Sequence, residues 1–144
     1  VIGIDAPLSL PGALRGIKGS MNYHYRKADI EAKAMSPMFL GGLTARAIEI
    51  SDWFKKATES NVIEVYPKLI AQELQLDFKR YKKDNTYLRQ AKHTLESVSG
   101  WKLGTVEVEN WHQYDALMAL RTAQRYLNEK ANILGDKAEG LIYF

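Results

Sequence analysis

The sequence predicts an α/β domain with a mixed sheet, parallel central strands and helices packed against it. Three observations lead there. Two short β-branched runs, Val1-Ile2-Gly3-Ile4-Asp5 and Val62-Ile63-Glu64-Val65, each carry an acid and are stopped by a proline, the way strands end where the next residue cannot donate to a ladder. Between them, Leu43, Ala47, Ile50, Phe54 and Ala57 recur at i, i+4, i+7, i+11 and i+14, one face of a helix. Strand, helix, strand in that order closes as a right-handed parallel crossover. Near the C-terminus, Ala116, Ala119 and Ala123 make a small-residue stripe that lets a helix lie close on a sheet, with Leu120 and Leu127 expected to complete its buried face.

Composition narrows the function classes. At 144 residues, 46% hydrophobic and 26% charged, the chain has the size and balance of one domain with its own core. It contains no cysteine, which excludes disulfides and thiolate metal sites and leaves carboxylate or imidazole for any metal. No apolar run approaches membrane-spanning length and no cleavable signal pattern opens the chain, so the expectation is a cytoplasmic protein without a membrane partner. The formal charge of +3 permits a nucleic-acid partner without requiring one. The chain lacks an initiator Met, and its first strand would have an unpaired edge; residues 1–144 are expected to be a single, incomplete domain.

Taken in order, the first run delivers Asp5 to the end of its strand, where ligands of parallel sheets collect. An apolar run without alternation suits a central strand covered on both faces. Gly3, lacking a side chain, allows a neighbouring backbone to approach. Pro11 to Tyr25 reads as a loop, because Gly12, Gly16 and Gly19 match neither nucleotide fingerprint. A short helix from Arg26 stops before Pro37, where pre-proline geometry disfavours continuation. Glu64 sits within the second strand, and the alternation of side chains decides whether it shares a face with Asp5.

A short helix follows over residues 68–76. Phe78-Lys79-Arg80-Tyr81-Lys82-Lys83 then interleaves four bases with two aromatics. That composition suits phosphate contact and base stacking, or a solvated helix face. Leu88, Ala91, Leu95 and Val98 mark another helix ended by Gly100, with His93 off its apolar face. Thr105 to Val108 alternates like an edge strand and fits a loop nearly as well. Asn110 and Gln113 have capping-box spacing for the last helix, which runs toward Glu129. Asp115 adjoins its alanine stripe and needs a cation, hydrogen bonds or a metal; His112 lies one turn earlier on the same side. A turn through Gly135 to Gly140 feeds a final strand.

Four strings carry a resemblance. Ile4-Asp5-Ala6-Pro7-Leu8-Ser9-Leu10-Pro11, Val62-Ile63-Glu64-Val65-Tyr66-Pro67, Tyr114-Asp115-Ala116-Leu117 and Gly135-Asp136-Lys137-Ala138-Glu139-Gly140-Leu141-Ile142 occur in the order of the domain-of-unknown-function family 429. Arg26 with Asp29, Ser36-Pro37 and Tyr81-Lys82 resemble its weaker motifs, so the likeness spans the chain. That family is described as predicted nucleases of ribonuclease H-like fold, and the Holliday-junction resolvases are similar in the strand-borne acid and the Asp-Ala-Leu of the last helix. The three-stranded meander that opens this fold, with its aspartate, is absent.

The resemblance implies a metal-dependent nuclease. Asp5 and Asp115, with the missing aspartate, would hold one or two Mg²⁺ or Mn²⁺ ions by hard oxygen ligands. Glu64 would be a ligand or orient one, His112 and Glu139 would position water or move protons, and Lys79, Arg80, Lys82 and Lys83 would hold the nucleic-acid backbone. The competing expectation is a catalytically silent ribonuclease H-like module that binds protein or nucleic acid. An enzyme for a small phosphorylated molecule is a third, disfavoured by the want of a Gly-rich phosphate loop.

Overall fold

Ile2–Ile4 (β1) and Val62–Val65 (β2) run parallel, with Ile2 opposite Val62 and Ile4 opposite Glu64, as the proline-stopped runs predict. The computed structural model, which describes residues 1–144, places them in a four-stranded sheet ordered β1-β2-β4-β3, where β3 is Ile133–Asp136 and β4 is Gly140–Tyr143. Strand β4 is parallel to β2, and β3 pairs antiparallel with β4. The sheet is therefore mixed, with β2 and β4 at its centre. Strand β1 lies at the edge and is only half-buried, so the apolar run that reads as a doubly covered strand has one flank without a strand neighbour. Asn61 O accepts from Ile2 N–H at 2.8 Å, and this fixes β1 against β2 from one side only.

Six α-helices accompany the sheet: Lys27–Ala32 (α1), Pro37–Leu40 (α2), Gly42–Ala57 (α3), Pro67–Glu73 (α4), Leu88–Ser99 (α5) and Trp111–Leu127 (α6). The segment opened by Arg26 does stop well before Pro37. That proline then starts α2, with Ser36 Oγ accepting from the Met38 and Phe39 N–H groups at 3.1 and 3.4 Å. Proline at the first helical position loses no bond, since that N–H has no partner in a helix anyway. Gly100 ends α5 at φ 68°, a left-handed conformation that glycine adopts without steric cost. Residues 105–108 form no strand. Lys92 Nζ instead donates to the Gly104 and Val106 carbonyls at 3.2 and 2.6 Å, which satisfies in a loop the groups a ladder would have used.

The register sorts side chains onto two faces. Residues opposite one another share a face, so Gly3, Ile63, Asp5 and Val65 point one way while Ile4, Glu64 and Ile142 point the other. The first face carries the main core, where Val65, Ile70, Leu95, Tyr114 and Met118 are fully buried; each large apolar side chain removed from water there is worth about 1.5–3 kcal/mol. The second face holds a small cluster of Ala28, Ala32 and Ile142. Close packing of α6 on β1 depends on Gly3, since a Cβ there would lie 3.0 Å from the Ala119 carbonyl oxygen and 3.1 Å from Val65 Cγ2.

The buried face of α6 is not the expected one. Trp111, Tyr114, Asp115, Met118, Ala119, Thr122 and Ala123 are buried, whereas Ala116, Leu120 and Leu127 are exposed. The larger side chains at 111, 114 and 118 set the rotation of the helix, and the alanines at 119 and 123 fit where β1 comes closest. No helix is long and apolar enough to cross a membrane.

Candidate active site at the end of the first strand

Asp5 leaves β1 just before the buried Pro7 and opens into a groove of about 530 Å³ between the strand and two helices. Ile4, Phe54, His112, Asp115 and Ala119 also line it. Two of the expected acids thus share one concavity. Position on the strand puts Asp5 on the α6 face, and the second turn of α6 brings Asp115 to meet it.

Asp115 is only 4% exposed, and its charge is met locally. Tyr81 Oη donates to Oδ1 at 2.7 Å, and Lys82 Nζ lies 2.5 Å from Oδ2. A buried carboxylate left alone would be strongly destabilising; here two successive residues occupy both of its oxygens. Burial, then the facing Asp115 charge and hydrogen bond, pushes the Tyr81 hydroxyl well above its ordinary range, so it remains a donor at physiological pH. The Tyr81 ring packs edge-on against Trp111 at 5.1 Å, which holds the hydroxyl in place.

Asp5 accepts no hydrogen bond comparable to these. Although its surface is open to the groove, surrounding protein reduces its solvation, and this, followed by repulsion from Asp115, raises its pKa to about 6; Lys82 and His112 oppose the shift. A folded pKa above the unfolded value of 3.8 means that the native state binds the proton more tightly. Stability from this group is full below pH 4, falls through the window from 4 to 6, and stays low above it. Asp5→Asn is therefore expected to raise the melting temperature at pH 7 and leave it unchanged near pH 3.5. Solvent screening of an open site reduces the gain to about 1 kcal/mol, or about 2–4 °C. Thermal melts at the two pH values check this.

Glu64 faces away from this pair. Its carboxylate is gripped by Arg26, which donates from Nη1 and Nη2 at 2.6 Å each, and Leu8 N–H donates to it at 2.8 Å. The same guanidinium donates to Asp29 through Nε at 3.0 Å and Nη2 at 2.6 Å, and to Ser9 Oγ at 2.9 Å. Burial, the largest influence, pushes the Glu64 carboxyl up against the pull of this fork. Glu64 therefore anchors the loop that follows Asp5, and the expectation that it joins the metal ligands finds its oxygens already committed to Arg26 and Leu8.

Glu139, in the turn between β3 and β4, accepts from Gly12 N–H at 3.0 Å, Lys27 N–H at 2.8 Å and Ser20 Oγ at 3.2 Å. It pins the Gly-containing loop and has no contact with Asp5 or Asp115. His112 is exposed and lines the groove. Of the four bases, Lys79 and Lys83 are exposed and form no ion pair, Arg80 binds Asp84 at 2.8 Å and stacks over Tyr87, and Lys82 turns inward to Asp115. The cluster is thus divided in role. Tyr81 and Lys82 as partners of Asp115 were not legible as such, although they form one of the weaker motifs of the resemblance.

No three histidine, aspartate or glutamate side chains gather closely enough to cage a metal. Asp5 and Asp115, which line one groove, offer hard oxygens. Such a pair suits Mg²⁺ or Mn²⁺, which are commonly held by one or two carboxylates with water and substrate phosphate as the remaining ligands. Both oxygens of Asp115 are nonetheless engaged by Tyr81 and Lys82, so the pair as it stands forms no metal cage. Comparison of the chain with protein families, curated proteins and solved structures gives no match.

Proposed function

We propose that the chain is a metal-dependent nuclease domain of ribonuclease H-like type that hydrolyses nucleic-acid phosphodiester bonds at the Asp5–Asp115 groove. The observation that supports it most is the presence of two acids in one groove at the carboxyl edge of a parallel strand pair, one of them with its pKa raised by its surroundings. Paired acids of this kind favour a dication, which neutralises their repulsion. A bound Mg²⁺ or Mn²⁺ supplies Lewis-acid polarisation of the phosphodiester and promotes formation of the nucleophile. Asp5 would offer the ion an open carboxylate, Tyr81 would orient Asp115, and His112 at the rim would move a proton at the leaving oxygen. Lys79 and Lys83, free of ion pairs, meet the flanking phosphates.

The second reading is the silent interaction module, favoured by one feature: Lys82 and Tyr81 already satisfy Asp115 without a metal. A panel of RNA and of single-stranded, duplex and branched DNA separates the two. The nuclease cuts at least one substrate with Mg²⁺ or Mn²⁺ and none with chelator. Binding without cutting under every metal condition supports the module.

A further inference from the structure

We infer that the exposed aromatic groove between residues 22–25 and α2 is a base-stacking subsite for single-stranded nucleic acid. The inference rests on the nucleic-acid part of the reading above and requires no metal.

Leu14, Tyr23, His24, Tyr25, Met38 and Phe39 are all exposed, and they line one groove of about 540 Å³. Phe39 is 80% and Tyr23 59% exposed. Apolar residues scattered singly on a surface are ordinary, but several around one concavity mark a place where something binds. The ring faces are free. Every close aromatic pair of the chain joins other residues, and none includes Tyr23, Tyr25 or Phe39. No cation lies over any of the three rings either.

Both walls are held before any ligand arrives. Asn22 Oδ1 accepts from the His24 and Tyr25 N–H groups at 2.9 Å each, a turn closed by a side chain that fixes the backbone carrying the two tyrosines. The buried Ser36 joins this turn to α2: its Oγ donates to the His24 carbonyl and accepts from Met38 N–H at the start of the other wall. Thr44 Oγ1 of α3 donates to the Pro37 carbonyl at 2.8 Å and ties α2 down. Rings presented on an ordered backbone lose little freedom when a flat ligand stacks on them.

Charge selects the occupant. Residues 12–46, which supply the whole groove, hold six bases and two acids. Arg26 and Asp29 are buried against each other, which leaves Arg15, Lys18, Lys27, Lys33 and Arg46 exposed with Glu31 alone opposing them. Glu31 accepts from Gly135 N–H at 2.7 Å. Asp136 and Glu139 border the neighbouring groove on the far side of Tyr25, where Asp136 accepts from Ala138 N–H and Glu139 from Gly12, Lys27 and Ser20. An anionic ligand is therefore favoured over a neutral apolar peptide, which would gain nothing from these bases. An unpaired strand is the polyanion with flat faces free to stack on aromatic rings, since a duplex keeps its bases stacked on one another.

The test is fluorescence anisotropy of a labelled oligothymidylate with the whole chain in chelator, set against an abasic oligomer of the same length and a duplex. The parent is expected to bind oligothymidylate about tenfold or more tightly than the abasic strand, which offers phosphates without bases. Phe39→Ala and Tyr23→Ala should each weaken oligothymidylate binding about five- to hundredfold and leave abasic binding unchanged, while Phe39→Trp retains affinity. Both positions are exposed, and melts of the variants matching the parent establish that folding is not the cause. Replacing Lys18 and Lys33 should instead flatten the salt dependence by about 0.7 log unit per lost phosphate contact. Equal binding of the abasic and thymidylate strands, or ring variants that bind as the parent does, would overturn the subsite. If the substrate panel is cut all the same, the nuclease reading stands without it; if nothing is bound and nothing cut, both fall. A dimer of the chain that Phe39→Ala dissociates, with no oligomer bound, would assign the groove to a second copy and overturn the inference.

Discussion

Arg26→Ala is expected to lower stability at pH 7 by about 3–5 kcal/mol, the usual consequence of removing one partner from a buried ionic cluster. Arg26 is 0% exposed, and its two acids, Asp29 and Glu64, are 1% and 6% exposed, so water cannot replace the guanidinium. Five side-chain donations to Asp29, Glu64 and Ser9 would be lost together. The melting temperature should fall by about 10 °C or more. Below about pH 5 the deficit should shrink. Burial already pushes the Glu64 carboxyl up, and without the guanidinium that opposes this the native state takes up a proton there that the unfolded state lacks. Urea melts at pH 7 and pH 4.5 check both statements; a loss under about 1 kcal/mol at pH 7 would contradict the role assigned to the cluster. Loosening should be greatest between Ala6 and Gly12, because Leu8 and Ser9 are tied to this network, and Asp5 stands at the start of that loop.

Asp5→Asn and Asp115→Asn should each lower phosphodiester cleavage by about 10³-fold or more, since an amide keeps the shape but loses the charge that holds the dication. Their effects on stability should differ in sign. Asp5→Asn relieves repulsion and raises stability at pH 7, as argued above from its pKa of about 6. Asp115→Asn deprives Lys82 of its counter-ion and leaves a buried amide beside Tyr81, at a cost of about 1–3 kcal/mol. Two variants that are equally inactive but oppositely shifted in melting temperature distinguish loss of metal from loss of fold. Cleavage rates and melts on the same preparations check this, and a variant that cuts as well as the parent would place the activity elsewhere.

Much of the frame was legible because it depends on short-range rules. Proline after Tyr66 and after Ala6 marks the strand ends, the 43 to 57 periodicity marks the crossover helix, and Gly100 marks a stop; the structure places each element there. Gly3 also serves as expected, with Ala119 against it. Strand β3 went unread, since Ile133 to Asp136 carries little alternation and pairs only because the following turn folds it back on β4. The rotation of α6 was misjudged because small and large side chains compete for the same face, and bulk at Trp111, Tyr114 and Met118 prevails.

The site was legible in its residues more than in its grouping. Asp5 and Asp115 come together, but the face of Glu64 depends on register, which pairs it with Ile4 and Ile142 and away from Asp5. Glu139 belongs to a different loop network for the same reason: partners distant in sequence, Gly12 and Lys27, claim its oxygens. Lys82 reads as one more surface base, because nothing local announces an inward turn toward a residue 33 positions later.

The most direct measurement of the central claim is a crystal structure of the chain soaked in Mn²⁺, recorded at a wavelength where manganese scatters anomalously. The account predicts one peak in the groove, about 2.0–2.6 Å from oxygens of both Asp5 and Asp115. A saturating soak that leaves the groove without a peak, or puts the ion on other residues, would contradict it.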